Sequence, residues 1–267
     1  MRFNKGLEKF EAPNLTEIGD DFLGYNEQLS NIEVPNVTYI GNRVLENNKE
    51  IEKFEASNVK KIGDDFLKYN EKLREFKVLN VTCIGNEVLK NNIELEKFEA
   101  PNLEWIGYSF LRNNSKLSEF NVPNVTCIGN GVLASNKELE KFEAPNLTEI
   151  GDDFLGDNKQ LSKINVPNVI YIGNSVLTFN KGLEKFEAPN AEKIGSYFLR
   201  MNTKLSEFYV PNLSKESKEN LEYVFSVIKE NSKEGKTQNI DSTDIANLDK
   251  NYKITTSEIK RSRKDVI

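Results

Sequence analysis

The chain has 267 residues, of which 37% are hydrophobic and 29% charged, and its formal net charge is −6. The hydrophobic content is below the roughly 45–50% of typical globular domains, a value that also counts glycine, so an elongated molecule with much surface is favoured. The acidic balance gives no basic face for nucleic acid. The absence of histidine excludes histidine catalysis and histidine metal ligands, and two cysteines cannot form a disulfide framework.

A 22-residue unit repeats from Leu7 without any insertion. Nine complete units fill residues 7–204, and a tenth begins before the pattern stops near Leu213. The unit reads L-x-x-[FI]-x-[AV]-P-N-[LV]-x-x-I-G-x-x-[FV]-L-x-x-N-x-x with few departures, and a second period of 44 separates odd from even units. A fixed period of this length indicates a solenoid. Residues 1–6 fit the tail of an incomplete unit, which predicts a fragment of a longer repeat protein or a truncated gene.

Each unit contains two predicted strand segments. In L-x-x-F-x-A, apolar and polar residues alternate, so the first, fourth and sixth positions should point inward. Proline and asparagine then end this strand, because proline cannot donate to a ladder. A second short alternation closes at a glycine that is present in all nine units, such as Gly19. A glycine at this place requires either a positive φ or a close backbone approach.

Two polar columns accompany the strands. Asn26 has an equivalent in every later unit, and we predict that this asparagine satisfies backbone groups at an irregular corner, the alternative being an exposed row that binds a ligand. Asp20–Asp21 and two similar pairs follow the glycine. We predict that these carboxylates accept hydrogen bonds from the backbone of their own turns rather than bind Ca²⁺, because their spacing matches no cation loop.

The repeat resembles the BspA-type leucine-rich repeat, which reads roughly L-x-x-I-x-L-P-x-x-[LV]-x-x-I-G-x-x-A-F-x-x-C-x-x. The resemblance covers residues 1–213, with asparagine in place of the usual cysteine and FL or VL in place of AF. It implies a leucine-rich-repeat horseshoe of about ten rungs with a parallel β-sheet on the concave face. It also implies a surface-exposed or secreted protein that binds a protein, a matrix or another cell, without an enclosed active site.

Two sets of exposed positions form the candidate binding surface. Position five is glutamate in most units, and lysines occupy neighbouring strand positions. This pattern predicts that glutamate and lysine charges neutralise each other between rungs or, as the alternative, that the glutamates form an acidic docking strip. Its candidate residues are Glu11, Glu33, Glu55, Glu99, Glu143 and Glu187. Position eleven contributes Tyr39, Cys83, Trp105, Cys127 and Tyr171. If this column faces solvent, the two thiols lie about 10 Å apart and stay free, and Trp105 is the best candidate for a contact hot spot, with drift in a repeat column as the alternative.

The repeat ends before residue 214, where the pattern becomes helical. Leu221, Val224, Phe225 and Ile228 share one face of a predicted amphipathic helix at 214–231, which caps the last rung, and Ser214 or Ser217 can serve as its N-cap. Residues 232–267 are polar and predicted to be mobile. They end in the basic cluster Lys260, Arg261, Arg263 and Lys264, interpreted as a solvated tail or, alternatively, a docking segment.

These features predict a non-catalytic, monomeric interaction or adhesion module that binds a protein or a cell-surface or matrix ligand. No catalytic residue, metal site or cofactor is expected, because the sequence has no nucleophile–base pair and no phosphate loop. An intracellular scaffold or effector that recruits a protein is the alternative. No apolar stretch could span a membrane, and no secretory signal precedes the repeats. A cell-surface or secreted location is therefore implied by the resemblance alone.

Overall fold

The structure, a computed structural model, describes residues 2–233. Coils of 22 residues stack with parallel strands into a solenoid of about nine turns, the first coil beginning at Leu7 and the ninth at Leu183. Each coil has three arms: a three-residue strand, a two-residue strand and a segment of turns. The predicted fold class, a leucine-rich-repeat solenoid with a C-terminal helix, is confirmed.

The first arm is the predicted L-x-x-F-x-A strand. Its strands are β1 (Lys9–Glu11), β3 (Asn31–Glu33), β5 (Lys53–Glu55), β7 (Glu75–Lys77), β9 (Lys97–Glu99), β11 (Glu119–Asn121), β13 (Lys141–Glu143), β15 (Lys163–Asn165), β17 (Lys185–Glu187) and β19 (Glu207–Tyr209). Each odd coil pairs with the even coil after it, as β1 does with β3, but no such ladder joins an even coil to the next odd one. The pairing of first-arm strands therefore repeats every two coils, which is the 44-residue period of the sequence.

The second arm forms one continuous parallel sheet. Its strands are β2 (Glu17–Ile18), β4 (Tyr39–Ile40), β6 (Lys61–Ile62), β8 (Cys83–Ile84), β10 (Trp105–Ile106), β12 (Cys127–Ile128), β14 (Glu149–Ile150), β16 (Tyr171–Ile172) and β18 (Lys193–Ile194). All nine pair in register along the molecule. The long sheet thus lies on the second arm, whereas the first-arm strands pair only in twos.

The third arm places three residues of every coil at positive φ, at unit positions fifteen, seventeen and nineteen. In the fifth coil these are Ser109 (φ 52°), Leu111 (φ 51°) and Asn113 (φ 61°). Their backbone N–H groups still pair between coils, as Leu111 does with the Val88 carbonyl at 3.1 Å. No valine, isoleucine or threonine occupies these positions in any complete coil, although valine is frequent at position sixteen between them. A second branch at Cβ is disfavoured at positive φ.

This conformation predicts a penalty for a branched side chain on the third arm. We expect Leu111→Ile to lower the free energy of unfolding by about 2 kcal/mol, because the left-handed backbone excludes a β-branched residue. Leu95→Ile is the matched control, since Leu95 is equally buried and Ile51 occupies the same position in coil three. Urea denaturation of both variants checks the prediction. Equal losses would show that Leu111 does not need the left-handed conformation.

The glycine that ends the second arm is required by close packing. A Cβ placed on Gly107 would lie 2.6 Å from both the carbonyl carbon and the oxygen of Gly85 in the preceding coil. Within residues 2–233 the only glycine at positive φ is Gly131, which lies outside this column. Of the two explanations that the sequence allowed, close backbone approach is therefore correct. The column lets neighbouring coils come into direct backbone contact.

The asparagine column is buried and structural, as predicted. Asn114 accepts a hydrogen bond at Oδ1 from the Asn92 backbone N–H at 3.0 Å, and its Nδ2 donates to the Leu89 carbonyl at 2.9 Å. Both bonds reach the preceding coil, and the same two contacts recur along the ladder, for example at Asn136. Because each side chain completes the corner of the coil before it, the ladder ties successive coils together.

Aliphatic and aromatic side chains from all three arms fill the interior. The first, fourth and sixth positions of the first arm point inward, as the alternation predicted; Leu95, Phe98 and Ala100 are fully buried. Phe98 stacks on Phe120 in the next coil with ring centroids 5.6 Å apart. Burial of such side chains supplies about 1.5–3 kcal/mol each, so the core of stacked rings and aliphatic groups dominates stability.

Two helices close the last coil where one was predicted. They are α1 (Lys215–Glu219), with Ser214 as the N-cap, and α2 (Glu222–Lys233). The break falls at Asn220, whose Nδ2 donates to the Ile194 carbonyl of β18 at 2.8 Å. The Ile194 N–H in turn donates to Ser217 Oγ at 3.1 Å. Side chains thus satisfy the last strand in place of another coil.

Apolar contacts complete the closure. Leu221, Val224 and Ile228 are buried against the core, and the Phe225 ring meets Phe208 edge-on at 5.9 Å. The proposed division into a solenoid at 1–213, a cap at 214–231 and a tail at 232–267 stays a prediction. The predicted mobile tail lies outside the described residues from residue 234 onward, and so does its basic cluster; the first two residues of the predicted tail belong to α2.

Candidate functional site

The second arm presents a row of side chains that we call the aromatic strip. Its nine residues are Glu17, Tyr39, Lys61, Cys83, Trp105, Cys127, Glu149, Tyr171 and Lys193. Each is the first residue of a two-residue strand whose second residue, such as Ile106, is buried. Alternation along a strand therefore turns the strip outward. The condition on which the sequence prediction depended, a solvent-facing column, is met.

Trp105 stands at the centre of the strip. It pairs in register with Cys83 on one side and Cys127 on the other, and 42% of its surface is exposed. Tyr39 and Tyr171 are similarly exposed, each three coils away from Trp105. Strand spacing of about 4.8 Å places these aromatic rings about 14 Å apart along the strip. The structure thus gathers all five sequence-predicted residues of position eleven on one sheet.

Both cysteine thiols are free and half-buried, as the spacing predicted. Burial raises the pKa of the Cys127 thiol, and the neighbouring Glu149 carboxylate raises it further. A thiol with a raised pKa carries little thiolate at neutral pH and is a weak nucleophile. Cys127 therefore serves here as a small apolar neighbour of the tryptophan.

The six candidate glutamates lie on the first arms, away from the aromatic strip. Every one forms an ion pair with a lysine of its own or an adjacent coil, as Glu55 does with Lys53 at 3.3 Å and Lys77 at 3.4 Å. These two lysines hold the pKa of the Glu55 carboxyl below its usual value. Glu33, Glu55 and Glu143 pair with a lysine of a neighbouring coil, as the predicted neutralisation between rungs requires, whereas the other three pair within their own coil. The use of this face as a docking strip stays a prediction. The structure does not bring the two candidate sets together in one sheet.

The paired aspartates bond to backbone, although with a different partner from the one predicted. Asp20 Oδ1 accepts from the Asn42 N–H of the following coil at 2.7 Å, and Asp64 Oδ1 accepts from the Asn86 N–H at 2.8 Å. The expected partner was the backbone of their own turn. Among residues 2–233, no three side chains of the metal-ligating types converge.

A shallow groove that the sequence analysis did not single out runs beside the strip. A stretch of about 820 Å³ along coils seven to nine and the start of the tenth unit is lined by Asn146, Asn168, Asn190 and Asn212 together with Thr148 and Glu192. The asparagine Nδ2 groups are engaged, since each donates to the residue at the proline position of the preceding coil, as Asn168 does to Pro145 at 2.8 Å. The asparagine at position eight of every unit is the sequence signal for this groove.

The described architecture defines the class of the protein. Parallel 22-residue coils, a leucine or isoleucine packed against the core at the start of each coil and a polar ladder at the corner make it a leucine-rich-repeat solenoid. The chain belongs to the BspA-type leucine-rich repeat family, whose model matches residues 3–118 and 104–226 in six copies.

Solved structures share this fold. The chain is similar to a leucine-rich repeat protein from Bacteroides ovatus, with a TM-score of 0.59 and 18% identity over 76% of this chain and 62% of that one. It thus spans less than two thirds of that protein. A leucine-rich cell surface protein from Faecalibacterium prausnitzii is more distant, with a TM-score of 0.41 and 15% identity over 77% of this chain and 85% of that one. No curated protein matches the chain. Neither helix within residues 2–233 has the length and apolarity needed to cross a bilayer.

Proposed function

We propose that the chain is a non-catalytic protein-interaction module and that the aromatic strip is its binding surface. The single observation that carries the proposal is the exposure of Trp105 at the centre of a nine-stranded sheet, between two free cysteines. Tryptophan and tyrosine dominate the energetics of protein contacts, and hot spots cluster near the centre of an interface. A strip fixed by backbone pairing also loses little freedom on binding.

The distribution of charge supports a binding role over a catalytic one. The first-arm carboxylates are solvent-exposed and paired with lysine, so nothing desolvates one carboxylate against another. General acid–base catalysis needs such a difference, because it separates the pKa values of two groups. Family membership agrees, since leucine-rich repeats generally act as interaction modules.

Adhesion to a protein or matrix ligand at a cell surface is the finer form of this proposal. The alternative is an intracellular scaffold. An adhesion module would bind a ligand from outside the cell, whereas a scaffold would bind one from inside it. One experiment that offers both kinds of ligand therefore separates the two roles.

We expect Trp105→Ala to remove most specific capture by the protein. The bead-bound chain is exposed to a total extract of the source cells and, separately, to an extracellular-matrix preparation, and the retained proteins are quantified by mass spectrometry. Loss of one buried hot-spot aromatic costs about 2 kcal/mol or more, which corresponds to about a thirtyfold loss in affinity.

Tyr108→Ala is the matched control, because Tyr108 is an exposed aromatic of the same coil that lies outside the strip. Proteins lost with Trp105→Ala and kept with Tyr108→Ala support the proposal. Capture from the matrix preparation favours adhesion, and capture from the cell extract favours the scaffold. Identical sets for all three proteins would contradict the assignment of the strip.

A further inference from the structure

The order of residues along the aromatic strip is complementary to its own reverse. From coil one to coil nine it runs Glu, Tyr, Lys, Cys, Trp, Cys, Glu, Tyr, Lys. When the strip is laid against a reversed copy, Glu17 meets Lys193, Tyr39 meets Tyr171, Lys61 meets Glu149 and Cys83 meets Cys127. Trp105 meets itself. Every charge faces an opposite charge, and every apolar residue faces an apolar one.

We propose that the aromatic strip binds the same strip of a second copy of this chain in an antiparallel dimer. The inference rests on the proposed function, because it assigns a partner to that surface. A two-fold axis that passes beside Trp105 along the strand direction turns one sheet over onto the other, so coil one faces coil nine. Contacts of this kind are isologous, and each pair occurs twice. The dimer replaces the monomer that composition alone favoured.

The charges of the strip are unpaired within the chain. Among residues 2–233, Glu17, Lys61, Glu149 and Lys193 form no ion pair, although each is exposed. On the first arms, by contrast, all six candidate glutamates are paired with lysine. The strip therefore keeps its charges available for a partner. In the antiparallel dimer they form four ion pairs around a central apolar contact.

The alternative face-to-face arrangement opposes like charges. If coil one faced coil one, Glu17 would meet Glu17 and Lys61 would meet Lys61, and the same holds for Glu149 and Lys193. Like charges that face each other cost affinity, whereas rim pairs of opposite sign steer and orient association. Charge thus selects the antiparallel orientation, although the aromatic contact at Trp105 is available in both.

The size of the strip sets the expected strength. Eight steps of about 4.8 Å give a length of about 38 Å. With a width of about 10–15 Å, the contact buries on the order of 1,000 Å² in total, at the low end for specific interfaces. The dimer is therefore weak and concentration-dependent, and the single tryptophan of the chain lies at its centre. Trp105 emission should shift to shorter wavelength as protein concentration rises through the micromolar range.

Thiol cross-linking tests the orientation. Packed sheets lie about 10 Å apart, beyond the Cα–Cα reach of a disulfide, so a short bis-maleimide is used as the linker. Each thiol adds across one maleimide double bond, forming a C–S bond while its proton moves to the adjacent carbon. We expect Cys83→Ser alone and Cys127→Ser alone to give no covalent dimer, and an equimolar mixture of the two variants to give one.

The cross-linking pattern decides between arrangements. In the antiparallel dimer Cys83 faces only Cys127, so a variant that keeps one cysteine has no partner thiol. Covalent dimers formed by each single variant alone would show the parallel arrangement and overturn the proposal. The proposal would also be overturned if the mixture gave no covalent dimer at a protein concentration where the Trp105 emission of the wild type has shifted to shorter wavelength.

Charge reversal gives a second, independent test by sedimentation. We expect Lys61→Glu and Glu149→Lys each to weaken the dimer about tenfold, because each places two like-charged pairs in the contact. The double variant restores both pairs and should return to within about threefold of wild type. Lys137→Glu is the control, since Lys137 is an exposed lysine outside the strip.

The two proposals fail separately. If Trp105→Ala abolishes capture of other proteins while no variant changes sedimentation, the dimer inference is wrong and the proposed function stands. If the charge-reversal rescue succeeds while nothing else is captured, the dimer stands and the proposed function narrows to self-association. A double variant that stays as weak as the single ones would contradict the residue pairing.

Discussion

Replacing Asn114 with alanine is expected to lower the free energy of unfolding by about 2–5 kcal/mol, because the change leaves two buried backbone groups without partners. The Asn92 N–H would lose its acceptor and the Leu89 carbonyl would lose its donor, and no water reaches a side chain that is fully buried. Each unsatisfied group costs about 1–3 kcal/mol. The loss would be a large part of a total stability of about 5–15 kcal/mol.

Asn124→Ala is the matched control for this prediction. Asn124 also donates to the preceding coil, to the Pro101 carbonyl at 2.8 Å, but it is exposed, so water replaces the lost donor. We expect a cost of at most about 1 kcal/mol. Urea denaturation followed by the emission of Trp105, which lies in the same coil as Asn114, measures both variants. Similar urea midpoints for the two variants would show that the contribution of the asparagine ladder to stability does not depend on its burial.

The second large effect is expected for Gly107→Ala. The added Cβ would overlap the carbonyl group of Gly85, and because these atoms are backbone, no side-chain rotation can relieve the overlap. Overpacking of this kind costs about 3 kcal/mol, because two coils must separate locally. Separation also weakens the adjacent strand pairs of the sheet that carries Trp105.

Gly19→Ala provides the comparison, because nothing lies within 4 Å of a Cβ built at Gly19 in the first coil. This variant should keep its stability or gain a few tenths of a kcal/mol from reduced freedom of the unfolded chain. Calorimetric melting temperatures distinguish the two substitutions. If Gly19→Ala were as damaging as Gly107→Ala, the glycine column would be required for its own backbone conformation rather than for contact between coils.

The repeat pattern predicted the columns of the fold well. A polar side chain kept at one place in an otherwise apolar interior must bond to backbone, so the burial of the Asn26 column followed from the sequence. The spacing of Cys83 and Cys127 likewise predicted free thiols. These inferences succeed because one residue type recurs in the same surroundings in every coil, which averages out local variation.

The left-handed third arm could not be predicted from propensity. Leu111 and its equivalents are good helix formers, and a glycine occupies a left-handed position in one coil only, as Gly131 in coil six. The only signal is negative, the avoidance of β-branched residues at alternate positions. The pairing of first-arm strands in twos was equally hidden, because it depends on contacts between coils rather than within one.

The candidate site was predicted in part. Position eleven was recognised as unusual, but its exposure depended on which residue of a two-residue strand turns inward, and a single residue shift would have buried it. The complementarity of the strip with its own reverse is present in the sequence. It becomes visible only when nine residues, spaced 22 apart in the sequence, are placed side by side on neighbouring strands of one sheet.

The asparagine ladder also makes the array modular in length. Each coil completes the corner of the coil before it, and side chains of α1 and of its C-cap, Ser217 and Asn220, pair with the last strand of the second-arm sheet. Whole coils can therefore be added or removed between these ends without leaving an unmatched backbone group. Duplication of a 44-residue block would preserve the solenoid and yet move Trp105 away from the middle of its strip. Length and surface pattern can thus change independently, so related arrays can share this fold while differing in what, if anything, they pair with.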